Sequence, residues 1–141
     1  MSTLVVKFNE HVITSRFYKF AKIAFDLAQE SDSETNHLLC AMVIKRNRVL
    51  SVGYNSRKTS PKMKTKMMMM HAECDAVLRC HESDLAGADI IVARARSSGR
   101  PGLAKPCPTC ESVLKSAGIR RAIYTLTSDN CDSPEIEVMR L

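Results

Sequence analysis

Between residues 14 and 29, apolar residues recur every three or four positions, a spacing that places them on one face of a helix. Thr14 or Ser15 could cap the start of this helix, because a side-chain hydroxyl accepts a hydrogen bond from an unpaired backbone N–H there. The pattern therefore predicts an amphipathic helix over 14–29. Its apolar positions are Phe17, Phe20, Ala21, Ala24, Leu27 and Ala28.

The next segment, "LLCAMVIKRNRVLSVGYN", has two apolar runs joined by the polar sequence "KRNR". A short polar connection between two such runs is typical of an antiparallel hairpin. We expect its strands at 38–44 and 49–54.

In the second half of the chain, predicted helices alternate with predicted strands. A helix is predicted over 71–80, and "ADIIVARA" has the β-branched, apolar character of a strand that is buried on both faces. In "PCPTCESVLKSAG", Pro108 suits the first turn of a helix and Gly118 suits the position just past its end. "IRRAIYTL" predicts a fourth strand, and "EIEVMRL" predicts a fifth at the edge of the sheet.

Strands that alternate with helices favour a sheet with parallel neighbours and with helices on both faces. No repeat or linker divides the sequence, so we expect a single domain over 1–141. In such sheets, sites form beyond the carboxyl ends of the strands, where the following helices begin. His71 and Cys107 both lie at predicted helix starts.

Composition bears on the compartment and the partners. The 141 residues are 45% hydrophobic, and no stretch approaches the roughly 20 apolar residues of a membrane helix. With no signal-like start, we expect a soluble cytoplasmic protein, or one of the host cytoplasm if the source is viral. The six cysteines are then free thiols, which favours metal binding over disulfides. A net charge of +6 indicates an anionic partner, either a nucleotide or a polynucleotide.

Two cysteines and one histidine are the candidate metal ligands. Cys107 and Cys110 are three residues apart at a helix start, so their side chains can lie on one face and bind one ion. The positive end of the helix dipole favours the thiolate form, which binds metal. Taken alone, this pair could also be redox-active or simply buried. His71 adds a third ligand, which leaves the fourth tetrahedral position of a zinc ion open for water. Glu73 lies two residues from His71 and faces another side, so it is free to act as an acid or base.

The pairing of "HAE" with "PCPTC" resembles the motifs of the zinc-dependent cytidine and deoxycytidylate deaminase superfamily. "CAMVIKRNRVLSVGYN" is similar to that family's hairpin, and "CPTCESVLKSAGIRRAIYT" to its second zinc-binding helix and following strand, so the resemblance covers about 38–125. It implies a cytidine-deaminase-like α/β fold, a three-layer α/β/α sandwich with a mixed central sheet.

The resemblance also implies roles for residues in the reaction. Zn²⁺ would be held by His71, Cys107 and Cys110, and it would lower the pKa of bound water from 15.7 towards about 7. Glu73 would take a proton from that water, pass it to the ring nitrogen and later protonate the departing ammonia. The expected reaction is hydrolytic deamination of a nucleobase.

Substrate contacts follow from the same resemblance. Asn55 matches the asparagine that contacts the sugar, and Ala72 supplies a backbone group near the base. The loop "GYNSRKTSP" is similar to one in phage and microbial members, although Ser60 stands where many of them carry histidine. Within this loop, Arg57 and Lys58 are candidates for binding a substrate phosphate. A solvated surface is an equally good interpretation of this loop and of a second basic group, Arg94, Arg96, Arg100 and Lys105.

We expect a cytosine nucleoside or nucleotide as the small-molecule substrate, with a monophosphate favoured, and a homo-oligomeric assembly. One alternative is deamination of cytosine or adenine in single-stranded nucleic acid or tRNA. Against it, only 15 residues follow Leu126, too few for the extra helix of tRNA-acting relatives, and only 5% of residues are aromatic. A noncatalytic, zinc-stapled nucleic-acid-binding module is the other alternative, but a closed structural site has no need of Glu73.

The remaining histidines and cysteines are interpreted as ordinary surface or core residues, since isolated histidines are seldom ligands and free cysteine behaves as a small hydrophobe. They are His11, His37, His81, Cys40, Cys74, Cys80 and Cys131.

Overall fold

A mixed sheet forms the centre of the protein. The computed structural model describes residues 3–4, 11–31, 38–56 and 70–141. Within these residues the strands are β1 (Thr3–Leu4), β2 (Leu38–Lys45), β3 (Arg48–Tyr54), β4 (Asp89–Ala95), β5 (Pro101–Gly102), β6 (Arg121–Thr125) and β7 (Ile136–Arg140). Their order in the sheet is β1-β7-β6-β4-β2-β3, and β5 pairs with β4 beside this path. The helices are α1 (His11–Glu30), α2 (Ala72–Arg79), α3 (Glu82–Leu85) and α4 (Pro108–Ala117).

Strand directions confirm the mixed sheet. β4 and β6 run parallel, as the alternation of strands and helices predicted, whereas β2 is antiparallel to both β3 and β4. β7 is antiparallel to β6 and also pairs with β1. The expected edge position of the last strand is therefore wrong, because β1 covers its outer side.

The β2–β3 hairpin turns more tightly than its polar connection suggested. Lys45 and Arg48 pair with each other, so the turn consists of Arg46 and Asn47, with φ of 54° and 63°. Two left-handed residues in succession match the right-handed twist of the flanking strands. Asparagine adopts this conformation more readily than most side chains.

Helices cover both faces of the sheet. Along β2, the fully buried Cys40 and Met42 pack with α1, whereas Ala41 and Val43 belong to the core on the α2 and α4 side. Alternate side chains thus enter two cores, which explains why β2 reads as a continuous apolar run. The three-layer α/β/α arrangement is confirmed.

The first helix begins earlier than its apolar pattern indicated. α1 starts at His11, so Thr14 and Ser15 lie inside it and the predicted cap is wrong. For α2, the predicted bounds of 71–80 agree with the helix and its two capping residues, His71 and Cys80.

Candidate metal centre

His71, Cys107 and Cys110 converge at one end of the sheet. The His71 Nδ1 lies 3.0 Å from Cys110 Sγ and 3.6 Å from Cys107 Sγ, and one donor atom from each residue lies within 4.8 Å of the others. His71 comes from the start of α2, and both cysteines come from the start of α4. The structure therefore brings together the three residues that the sequence predicted as ligands.

The donor set fits zinc. Ligand bonds of about 2.3 Å for sulfur and about 2.0 Å for nitrogen place a nitrogen and a sulfur donor roughly 3.5 Å apart around a tetrahedral ion. The separation of 3.6 Å between His71 and Cys107 matches this spacing, and the separation of 3.0 Å between His71 and Cys110 is shorter. Burial lowers the pKa of His71, which favours the neutral imidazole that metals bind. The pKa of Cys110 is raised, mainly by its contact with Cys74 and next by burial, so the neutral thiol is favoured. A bound cation would favour the thiolate instead, because a coordinating thiol is deprotonated.

The start of α4 holds the two cysteines in place. Cys107 is the N-cap residue, and its sulfur accepts a hydrogen bond from the Cys110 N–H at 3.5 Å. Pro108 occupies the first turn, where its missing N–H costs nothing. Gly118 ends the helix with φ of 88°, as the sequence predicted.

Glu73 is buried beside the candidate metal ligands. Glu73 is 5% exposed, and it lines a cavity together with His71 and Cys107. Burial raises the pKa of Glu73, while hydrogen bonds from its own backbone N–H and from Cys110 oppose this shift. A raised pKa makes the carboxylate a stronger base, which suits a group that must accept a proton before returning it.

This cavity has a volume of about 300 Å³, at the lower end of the range for small-molecule sites. Asn55 lines it, and the Asn55 Oδ1 accepts a hydrogen bond from the Leu39 N–H at 3.1 Å, which orients the amide. The full lining is Leu39, Asn55, His71, Ala72, Glu73, Arg94, Leu103, Ala104, Lys105 and Cys107.

Three contacts anchor α2 against β3 and so position His71 and Glu73. The Ser51 hydroxyl donates to the Ala76 carbonyl oxygen at 2.7 Å, and the Tyr54 N–H donates to Asp75 Oδ2 at 3.0 Å. Gly53 lies against the α2 backbone, where a Cβ would overlap Ala76. These contacts fix where the first turn of α2 lies relative to the sheet.

Of the two basic groups noted in the sequence, the second lies within the described residues. Arg57, Lys58 and Ser60 lie outside the described residues, as does His37. Of the second group, Arg94 and Lys105 line the cavity. The other two face elsewhere: Arg96 donates to the carbonyl oxygens of Pro101 and Ser128, and Arg100 pairs with Asp129 at 3.1 Å.

Cys74 has a contact that sequence reasoning missed. Its sulfur lies 3.8 Å from Cys110 Sγ, and both residues are fully buried. The signal was available, because Cys74 follows His71 by three residues and so shares its face of α2. By contrast, the His81 side chain caps α3 by accepting the Ser83 N–H at 3.2 Å, a local structural role.

In the described ranges 11–31, 38–56 and 70–141, no helix combines the length and the apolar character needed to cross a membrane.

Comparisons with known proteins show the family of this chain. Residues 15–126 match the family described as the cytidine and deoxycytidylate deaminase zinc-binding region. A deoxycytidylate deaminase of Mycobacterium phage D29 is 30% identical over 74% of this chain and 90% of its own length. The human deoxycytidylate deaminase is 26% identical over 86% of this chain and 70% of its own.

Solved structures support the fold. The dCMP deaminase of cyanophage S-TIM5 superimposes with a TM-score of 0.54 at 22% identity, covering 84% of this chain and 86% of that one. Because residues 15–126 carry the family match and the phage relative is aligned over most of its length, the chain belongs to the zinc-dependent cytidine and deoxycytidylate deaminase family.

Proposed function

We propose that this protein deaminates deoxycytidine monophosphate, releasing ammonia and forming deoxyuridine monophosphate. The observation that carries the proposal is the convergence of His71, Cys107 and Cys110 beside the buried carboxyl group of Glu73, in a cavity that can hold a base. The choice of dCMP is supported by the phage and human relatives, both named deoxycytidylate deaminases.

His71, Cys107 and Cys110 would hold Zn²⁺, which when bound supplies a water of lowered pKa at the open coordination position. Glu73 takes a proton from the attacking water and delivers it to the ring nitrogen of cytosine. The oxygen adds to the carbon that bears the amine, and Glu73 then helps to transfer a proton to the amine as it leaves. Water and the cytosine base are thereby converted into the uracil base and ammonia.

The cavity walls suit a pyrimidine nucleotide. Leu39, Leu103 and Ala104 offer apolar contacts for the base, and Leu103 is 48% exposed, so it lies within reach of an entering ligand. Asn55 would hydrogen bond to the sugar, and the backbone of Ala72 to the base. The orientation of Asn55 is already fixed by Leu39, which lowers the ordering cost of binding.

Arg94 and Lys105 are the basic residues that we assign to the phosphate, in addition to Arg57 and Lys58. Both line the cavity. The stem of Arg94 packs against Gly102, where a Cβ would lie 3.1 Å from the Arg94 Cδ. This contact limits the positions that the guanidinium group can take. Two basic residues in the lining of one cavity favour a substrate with an anionic end.

Ammonia release tests the proposed substrate. Purified protein loaded with Zn²⁺ would be assayed with dCMP, CMP, deoxycytidine, dAMP and a short cytosine-containing single strand. We expect the highest kcat/KM for dCMP. Activity confined to the single strand would favour the nucleic-acid alternative, and activity on dAMP alone would reassign the base. The expected homo-oligomer stays a prediction that light scattering can check on the same sample.

A further inference from the structure

A second cavity lies at the opposite end of the sheet from the metal centre. It has a volume of about 220 Å³ and is lined by the β2–β3 turn, by the starts of β4 and β6 and by α1. In contrast, the metal-centre cavity is lined by Leu39 near the start of β2 and by Arg94 near the end of β4. The two cavities share no lining residue.

The lining of this second cavity is strongly basic. Five basic side chains line it and one acidic side chain does: Arg16, Lys45, Arg46, Arg120 and Arg121, with Asp89. The charges do not cancel, because one carboxylate cannot neutralise five cations. Such an excess of like charge in a concave site attracts anions.

Asp89 pairs with two arginines, and more closely with Arg121 than with Arg120. Its Oδ1 and Oδ2 accept hydrogen bonds from the Arg121 Nε and Nη2, each at 2.9 Å, in a two-bond pairing of guanidinium and carboxylate. Arg120 Nη2 also pairs with Asp89 Oδ2, at the longer distance of 3.5 Å, and its side chain is 61% exposed. Arg16 and Arg46 are exposed too, so most of the surplus positive charge belongs to side chains that solvent can reach.

The cavity is also partly preorganised. The Arg121 guanidinium lies over the Phe17 ring, 5.1 Å from its centroid, and the Lys45 Nζ donates to the Ala86 carbonyl oxygen at 2.8 Å. Arg46 projects from a turn whose two residues adopt left-handed backbone conformations. Side chains that are already ordered lose less entropy when they bind an anion.

We infer that this second cavity binds a small anion that carries two or more phosphate groups. Several cations around one concavity match a ligand with several negative charges. The rings of Phe17 and Phe20 are 4% and 7% exposed, so neither offers a free face on which a nucleobase can stack. Proteins that bind single-stranded nucleic acid rely on such stacking. The phosphate groups themselves are therefore the recognised feature, independently of the deaminase reaction.

Titration calorimetry with pyrophosphate and tripolyphosphate tests this inference on the full-length, zinc-loaded protein. We expect saturable binding that weakens as salt rises, and at least about tenfold weaker binding in R46Q/R120Q, which loses two charge-assisted contacts. The matched control K22Q/K115Q removes the same charge from residues that do not line the cavity, and it should bind like the wild type. If R46Q/R120Q does not fold, R46Q alone alters only an exposed turn residue.

A further variant, R94Q/K105Q, separates the two cavities and should retain pyrophosphate binding. Absence of binding by the wild type would overturn the inference. So would equal affinity in R46Q/R120Q, or binding that is lost in R94Q/K105Q. A single-stranded oligonucleotide that binds through Arg46 and Arg120 more tightly than tripolyphosphate would replace the proposed ligand with a nucleic acid.

Discussion

Gly53 of β3 lies directly against the backbone of Ala76 in α2. An ideal Cβ at position 53 would overlap the Ala76 backbone nitrogen and would lie 2.6 Å from the Ala72 carbonyl oxygen. Because these atoms are backbone, no side-chain rotation can relieve the overlap. The absence of a side chain at Gly53 thus allows α2 to approach the sheet and to bring His71 and Glu73 to the metal centre.

Gly53→Ala should push α2 away from β3. We expect substoichiometric zinc and a loss of activity of about 10²-fold, because small misplacements of catalytic groups have effects of this size. Zinc analysis and steady-state kinetics measure both. Gly87→Ala is the control, since Gly87 has φ of 79° but a Cβ at this position would meet no atom within 4 Å. That control should lower the melting temperature while zinc content stays at the wild-type level, and parallel zinc loss in both variants would contradict the explanation.

The metal assignment predicts about one zinc per chain. Cys107→Ala and Cys110→Ala should each lose most of it, because two remaining ligands bind zinc much more weakly than three. Metal analysis of freshly purified protein provides the measurement. Cys131→Ala serves as the control, since the Cys131 thiol contacts the Gly99 carbonyl oxygen, away from the ligand cluster. Full zinc retention in a double Cys107/Cys110 variant would refute the site.

Cys74 should slow the release of zinc. Its sulfur contacts Cys110 at 3.8 Å, and partners that support metal ligands commonly contribute 10- to 100-fold to metal affinity. Cys74→Ala should therefore release zinc to a chelator at least several times faster than the wild type. Cys40→Ala is the matched control, because Cys40 is equally buried but packs in the core on the α1 side. Equal release rates in the two variants would leave Cys74 with a packing role only.

The sequence was informative wherever a pattern repeats or a motif is local. The 3.6-residue period identified α1, the two apolar runs identified the hairpin, and the pair "HAE" and "PCPTC" predicted candidate ligands whose donor atoms the fold brings within 4.8 Å of one another. These features depend on near neighbours in the chain. They can therefore be recognised without knowledge of tertiary contacts.

Other features depend on distant contacts that no local pattern shows. β1 and β5 have two residues each, too few to display a period of two, and β1 changes the position of β7 in the sheet. The separation of Arg94 and Lys105 from Arg96 and Arg100 depends on where β5 and the following loop run. All four are simply basic residues in one stretch of the sequence.

Phosphate recognition predicts a difference between substrates. Replacing Arg94 and Lys105 with glutamine should raise the KM for dCMP at least about tenfold more than the KM for deoxycytidine, because only dCMP carries the anion. Replacing Arg57 and Lys58 tests the second pair in the same way. Kinetics with both substrates distinguish the pairs. A pair whose loss affects both substrates equally does not bind the phosphate.

The most direct test of the whole account compares the wild type with Glu73→Gln on dCMP, both loaded with zinc. The substitution keeps the size of the side chain but removes its ability to carry a proton between water and base. Zinc content and melting temperature should remain close to those of the wild type, while the rate of ammonia and dUMP formation should fall at least about 10²-fold. Wild-type turnover by a zinc-loaded Glu73→Gln protein would contradict the proposed chemistry.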